Sequence, residues 1–449
     1  MQPRIRERIM LKTRMNRFAL IVLALVPAAL AQDSAPLKLS LQDAVALALR
    51  QNPQVILANL DISQSRQDTR IARSALLPQV NGTLGEGVHR FNIETAFGSR
   101  FPGLAEHAGP FWVFQGGVGF TAPIFDLTLW DRYRSSQMSQ DSRRSQELTV
   151  REESVLLVVS QYLGSQRAAA EVDAAQSRVD LAQALYDQAA DLQKNGAGTG
   201  IDTLRSNVQL QNEKQRVIVA RTALETSLYG LARLLNVDPQ RKIDLADQVH
   251  FFDTPEVSID QTLERAYVAR PELRQLLNEE QRAALDAKTA SQERLPKLSL
   301  SGFWLEQGLT PASIIPVYQY QFDVNVPLFT GGRIQAARDK ADLAIRQLKQ
   351  QEQELRNRIA LEVKTAAAQL ESARSQVDVA SLGVSLAKQE VEQARDRFQA
   401  GVANNIEVVT AQDELARAND NQIAALYRYN QSRADLAHAV GQMEAVYAR

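Results

Sequence analysis

Residues 370–398 read LESARSQVDVASLGVSLAKQEVEQARDRF. Within them Leu370, Ala373, Val377, Ala380, Val384, Ala387, Val391, Ala394 and Phe398 stand at alternating intervals of three and four, nine consecutive positions of a heptad seam. Valine alternating with alanine lets two helices approach closely. No proline follows Pro327, and none lies between Pro123 and Pro239. Both windows are rich in Ala, Gln, Leu, Arg and Glu, which favour helix. From Arg333 to Ala400 the pattern predicts one helix of about 68 residues, roughly 100 Å long. A helix of that length needs a lateral partner, so a coiled coil is expected.

The same seam occurs 205 residues earlier as Val172, Ala175, Val179, Ala182, Tyr186, Ala189 and Gln193. Asn52-Pro53 matches Arg270-Pro271, and Leu77-Pro78 matches Leu295-Pro296, both at an offset of 218. Ala122-Pro123-Ile124 matches Val326-Pro327-Leu328 at 204. These landmarks predict an internal two-fold repeat, with copies at 41–236 and 261–441. The drop in offset leaves the first copy about 14 residues longer between its second and third landmarks, which reads as a longer surface loop.

Residues 80–130 and 298–330 hold 15 of the 27 aromatic residues in under a fifth of the chain, so these segments differ in kind from the helices. In Tyr318-Gln319-Tyr320-Gln321-Phe322-Asp323-Val324-Asn325-Val326 every second residue is apolar and every other one polar, the period of a strand. Apolar-out, polar-in alternation is what an outer-membrane barrel requires. Each copy predicts two strands, about 79–89 with 111–123 and about 297–308 with 317–328. Four strands cannot close a barrel, because single-chain barrels begin at about eight. Two chains would supply eight strands with a filled interior; three would supply twelve, with room for an aqueous lumen.

Composition narrows the chemistry. Of 449 residues none is cysteine and four are histidine, at 89, 107, 250 and 438, so thiolate sites, clustered imidazoles and HExxH motifs are excluded. No catalytic, cofactor-binding or metal-ligating constellation is predicted. Gly196-Ala197-Gly198-Thr199-Gly200 lacks the GK[ST] of a phosphate loop and follows a helix. Neighbouring carboxylates Glu152-Glu153 and Glu279-Glu280 point in different directions on a helix, against paired acid–base work. At the N-terminus, Arg4, Arg6, Arg8, Lys12, Arg14 and Arg17 precede the apolar stretch Phe18–Leu30, which ends in Ala29-Leu30-Ala31. This predicts a signal peptide over 1–31, cleaved after Ala31, with either Met1 or Met15 as the start. Removal takes six basic residues and Glu7, leaving 45 basic against 51 acidic residues and a net charge near −6. That balance argues against nucleic acid. No later stretch approaches the roughly 18 apolar residues of a transmembrane helix.

The duplicated order of motifs resembles the TolC family of outer-membrane efflux proteins. It runs Ala48-Leu49-Arg50-Gln51-Asn52-Pro53, a Leu-Pro, Pro123-Ile124-Phe125-Asp126 or Pro327-Leu328-Phe329-Thr330-Gly331-Gly332, a long helix, and a turn such as Ala400-Gly401. The resemblance spans nearly the whole mature chain. It implies a mixed α and β membrane protein: a long α-helical coiled-coil barrel plus a transmembrane antiparallel β-barrel, closed by homotrimerisation with four strands per protomer. It further implies an outer-membrane location extending into the periplasm and a passive exit duct for a tripartite pump or type I secretion system. The implied partners are outer-membrane lipid, a periplasmic adaptor (membrane fusion) protein and an inner-membrane pump. A periplasmic coiled-coil adaptor or structural envelope protein is the alternative, without the duplicated strands.

On this reading the chain divides into signal peptide 1–31, N-terminal segment and first helices 32–77, strands 78–125 with external loop 90–110, and long helices 126–236. The equatorial connector 237–260, helices 261–295, strands 296–329 with external loop 309–316, long helices 330–441 and tail 442–449 complete it. Pro78, Pro123, Pro296 and Pro327 are expected at helix–strand junctions, where a missing N–H is tolerated. The tips at 194–202 and 399–407 are expected to dock the adaptor through Gly196, Ala197, Gly198, Ala400, Gly401, Val402 and Ala403. The resemblance also implies a gate. Its two acidic positions fall on Glu407 and Thr410, and its hydroxyl, basic and acidic lock positions fall on Phe398, Ala403 and Asp202. Only Glu407 and Asp202 keep their chemistry. Arg205, at i+3, is the expected partner of Asp202, and Glu407 equally suits a helix cap.

Overall fold

The computed structural model describes residues 36–99, 102–103, 105–196, 198–247, 258–400, 402–403 and 405–448. The signal segment with Ala31, tip residues Ala197 and Gly401, loop positions 100, 101 and 104, and connector positions 248–257 lie outside the described residues.

The chain runs β1 (Leu37–Leu39), α1 (Leu41–Gln51), α2 (Pro53–Ser74), β2 (Gln79–Asn92), α3 (Ile93–Phe97), β3 (His107–Phe125), α4 (Leu127–Lys194) and α5 (Gly200–Leu234). After β4 (Ile243–Leu245) come α6 (Ile259–Ala269), α7 (Pro271–Gln292), β5 (Lys297–Gly308), β6 (Ile315–Asn325), α8 (Arg333–Gln399), α9 (Asn405–Val440) and α10 (Met443–Tyr447). A helix pair, a strand pair and a second helix pair thus follow one another twice. Asn52 ends α1 and caps α2: its Oδ1 accepts from the Gln54 N–H at 2.8 Å while its Nδ2 donates to the Leu234 carbonyl at 2.9 Å. Pro53 and Pro271 begin α2 and α7, where the first N–H has no helical acceptor.

The heptad seam is what α8 buries. Leu370, Ala373, Val377, Val384, Ala387 and Ala394 are buried, and the first three pack against Ala425 and Tyr429 of α9. Further up, Leu355, Ile359 and Val363 meet Ala266, Leu273 and Leu276 of α6 and α7. A fully buried Ile359 is worth about 2–3 kcal/mol in transfer free energy, so each turn of this seam contributes measurably. Another core joins Val155, Val158, Val159 and Tyr162 of α4 to Ala44, Val45 and Ala48 of α1, and to Leu231, Leu235, Ala434 and Met443.

Several features depart from the sequence reading. β2 extends to Asn92 and β3 begins at His107, so the first hairpin loop is 93–106, shorter than 90–110 and holding α3. Likewise β6 begins at Ile315 and stops at Asn325, leaving 309–314 as the second loop rather than 309–316. Alternation fades in these glycine- and proline-rich ends, while the backbone ladder continues. Pro123 lies inside β3 opposite Ser299, beside a register shift, rather than at the junction itself; a bulge is where a ladder tolerates a missing N–H. The connector carries β4, which pairs in parallel with β1 over three residues, too short for a periodic signal. Tyr162 anchors it, its hydroxyl donating to the Leu39 carbonyl at 2.9 Å and to Asp247 at 3.1 Å. Within the tail, α10 docks on α4, its Met443 and Glu444 N–H groups donating to Glu152 at 2.7 and 3.2 Å.

Candidate functional site: sheet faces and helical tips

Strands β2, β3, β5 and β6 form one antiparallel sheet in that order, with β2 and β6 at its edges. Register sorts its side chains onto two faces. Val80–Phe120–Gly302–Tyr320 and Gly82–Val118–Trp304–Tyr318 are cross-strand rows, and Ala122–Leu300–Phe322 continues the same side. Val80, Leu84, Val88, Trp112, Val118, Trp304, Tyr318, Tyr320, Phe322 and Val324 on that face are all exposed. The Trp304 and Tyr318 rings lie 5.7 Å apart and those of Tyr318 and Tyr320 6.1 Å apart, both pairs tilted. An exposed aromatic and aliphatic face this broad has no covering layer among the described residues and suits hydrocarbon. The reverse face carries a polar ladder: Ser301 Oγ donates to Asp323 at 3.0 Å, and Gln321 Nε2 donates to Asp323 at 3.0 Å.

Where sheet meets helix, charges lock the elements together. Lys297 reaches Asp126 at 3.2 Å, Lys288 reaches Asp131 at 3.2 Å, and Arg333 reaches Glu293 at 2.6 Å. Pro78 and Pro296 sit immediately before β2 and β5, and Pro327 lies between β6 and α8. From this collar α4 and α8 lead away from the hairpin loops for 68 and 67 residues, roughly 100 Å at 1.5 Å per residue.

At the far end each helix pair turns without proline. Gly196 adopts φ +74°, the left-handed region that glycine enters without strain. The Gly198 N–H donates to the Leu192 carbonyl at 3.0 Å, and a Cβ on Gly198 would stand 3.0 Å from Leu192 Cβ, so the turn is closed tightly there. In the second tip the Val402 N–H donates to the Arg397 carbonyl at 3.0 Å; Ala400 and Val402 are exposed and Ala403 half-buried. Phe398 and Asp202 meet at one cavity of about 80 Å³, with Leu185, Ala189, Leu192 and Gly198. Phe398 also packs on Ala394, Val408 and Ala411.

Two acids of this end, Asp202 and Glu407, have partners. Asp202 belongs first to the N-cap of α5, its N–H donating to Thr199 Oγ1 at 3.4 Å; Arg205 is more distant at 4.0 Å. Glu407, in the first turn of α9, forms an ion pair with Arg397 of α8 at 2.9 Å. Thr410 Oγ1 donates back to the Ile406 carbonyl at 2.9 Å. Sequence reasoning passed over Arg397, whose only signal was its position ahead of the turn from Glu407. It also passed over Arg178, which spans the halves by reaching Glu213 at 3.7 Å and Asp420 at 3.0 Å.

Near the connector, buried Arg270 pairs with Glu272 at 3.0 Å and with Glu362, while Arg151 holds Glu444. Burial, with Arg270 alongside, pushes the His438 imidazole below its ordinary range. Burial likewise raises Glu152 and Glu153, for Glu152 against the pull of its two amide donors. Among the described residues no cluster of His, Asp or Glu could hold a metal, and no helix is long and apolar enough to cross a membrane.

Comparison with known proteins agrees with this arrangement. The sequence profile of the outer membrane efflux protein family matches residues 44–237 and 262–442. The alkaline protease secretion protein AprF of Pseudomonas aeruginosa is 24% identical over 423 residues, covering 90% of this chain and 85% of that protein. The pyoverdine export outer membrane protein OpmQ of the same organism is 22% identical over 398 residues, 85% and 80% of the two chains. The outer membrane channel CmeC of Campylobacter jejuni shares the fold with a TM-score of 0.78 at 20% identity, over 90% of this chain and 85% of that one.

Proposed function

Because the chain belongs to the outer membrane efflux protein family, we propose that three copies close their sheets into one twelve-stranded barrel, with the long helices forming a tunnel beneath it. The protein is an outer-membrane channel that extends into the periplasm and serves as an exit duct for efflux or secretion. The observation that carries the trimer is the sheet itself: four strands, two unpaired edges, a mainly apolar exposed face and a reverse face with a polar ladder at its helix-side end. In hydrocarbon an open edge leaves backbone groups without partners, so closure needs further copies.

The helical tips are the docking end for a periplasmic adaptor, which links the duct to an inner-membrane pump. Small residues at Gly196, Gly198, Ala400 and Ala403, with exposed Val402 between, leave a shallow surface there. Glu407 supplies the acid of the gate, each carboxylate balanced by Arg397. In the test, the detergent-extracted protein runs as a heat-modifiable trimer and conducts ions in planar bilayers. A monomer soluble without detergent overturns the reading.

A further inference from the structure

The two hairpins share one register. Leu84 faces Gly116 in the first and Gly302 faces Tyr320 in the second, so shifting the leading strand by 218 positions and the returning strand by 204 converts one pair into the other. Those are the offsets that relate Leu77-Pro78 to Leu295-Pro296 and Pro123 to Pro327. Inside the chain the hairpins join through β3 on β5, with Phe120 opposite Gly302, Thr121 opposite Ser301 and Pro123 opposite Ser299. The counterpart contact would be β6 on β2, and the chain leaves both strands at sheet edges.

We propose that β6 of one copy pairs antiparallel with β2 of the next in the register carried over from β3 and β5. Val324 then lies opposite Leu84, Asn325 opposite Thr83, Val326 opposite Gly82 and Pro327 opposite Asn81. This rests on the three-copy barrel proposed above and fixes how its copies join.

Two independent observations agree with that register. Val324 and Leu84 both lie on the apolar face, and Asn325 and Thr83 both lie on the polar one. A slip of one residue would turn a whole strand to the wrong side. Secondly, β6 stops at Asn325, and the Leu328 and Phe329 that follow are 95% and 91% exposed, the highest values among the large apolar residues described. Their counterparts Ile124 and Phe125 continue β3 beyond Pro123, through the register shift, and are 54% and 49% exposed. Like Pro123, Pro327 has no N–H and suits a strand only at such a bulge. In the assembly β6 therefore continues to Phe329, which comes to lie opposite Val80 of the next copy, as Phe125 lies opposite Leu298.

The chain contains no cysteine, so paired substitutions report the register directly. Full-length protein carrying Thr83→Cys and Asn325→Cys is purified in detergent and oxidised. It runs as a covalent trimer on a denaturing non-reducing gel and as a monomer after reduction, because directly opposed strand positions lie within disulfide reach. Asn325→Cys with Asn81→Cys or Gly85→Cys, two residues out of register on the same face, crosslinks roughly tenfold less. Trimers by light scattering in which an out-of-register pair crosslinks better overturn the register and leave the barrel standing; monomers by light scattering overturn both. Phe329→Cys with Val80→Cys likewise crosslinks into a covalent trimer, because the extension brings the two positions opposite each other. A pair that crosslinks no better than Phe329→Cys with Gly82→Cys overturns the extension of β6.

Discussion

Arginine at Phe322 and arginine at Asp323 differ by one position in β6 and by the full contrast between the two faces of the sheet. Phe322 is 71% exposed on the apolar face, four residues beyond Tyr318 of the Trp304–Tyr318 ring pair. A strand rising about 3.4 Å per residue and tilted about 40° descends about 10 Å over that interval. An apolar band about 25 Å tall, bounded by that aromatic pair, puts Phe322 close to the midplane, where arginine costs about 2–4 kcal/mol. Three copies raise the penalty to about 6–12 kcal/mol per assembled barrel. Tyr318→Arg, at the band's edge, costs about 0–1 kcal/mol. Asp323→Arg loses the hydrogen bonds from Ser301 and Gln321, about 1 kcal/mol each, and meets no lipid. Urea titration of barrels in lipid vesicles, read by the heat-modifiable gel shift, gives the order Phe322→Arg, then Asp323→Arg, then Tyr318→Arg, from most to least destabilised. A barrel that tolerates Phe322→Arg better than Asp323→Arg refutes the assignment of faces, and equal penalties at 318 and 322 refute the depth.

Three further outcomes are expected. In planar bilayers Glu407→Gln lowers cation preference and divalent block, whereas Arg397→Gln raises both by unmasking the carboxylate; unchanged selectivity in both variants places the gate elsewhere. Because the pair is largely exposed, either variant changes stability by less than about 1 kcal/mol. Val402→Trp abolishes export while trimer and conductance persist, and normal export in that variant removes the docking role of the tips. His438, facing Arg270, Glu272 and Asp435, has its folded pKa below the unfolded 6.5, so stability is full above pH 6.5 and declines as pH falls through it. Against this, Glu152 and Glu153 have raised folded pKa values and favour folding at acidic pH. His438→Gln therefore flattens the acid-side decline in thermal denaturation between about pH 6.5 and 5, and an unaltered slope there assigns it to other groups.

Periodicity made most of the architecture legible. A seam from Leu370 to Phe398 repeats often enough to identify a helix of nearly seventy residues and its buried side, and Tyr318 to Asn325 alternates cleanly enough to separate an apolar strand face from a polar one. Both follow from local geometry, because 3.6- and 2-residue periods are imposed by the backbone before any partner is chosen. Charge pairing was less legible. Arg397 meets Glu407 across the α8–α9 turn, and Arg178 reaches Glu213 across the α4–α5 turn and Asp420 where the two helix pairs lie side by side, so no single period records these contacts. β1 and β4 join across more than two hundred residues with only three positions each, leaving no period to detect. The order and type of the long helices and of the four long strands were thus determined by the sequence alone. Which charges are neutralised, where β6 stops and which edges stay open were decided only by tertiary structure, since each depends on distances between segments that no local pattern encodes.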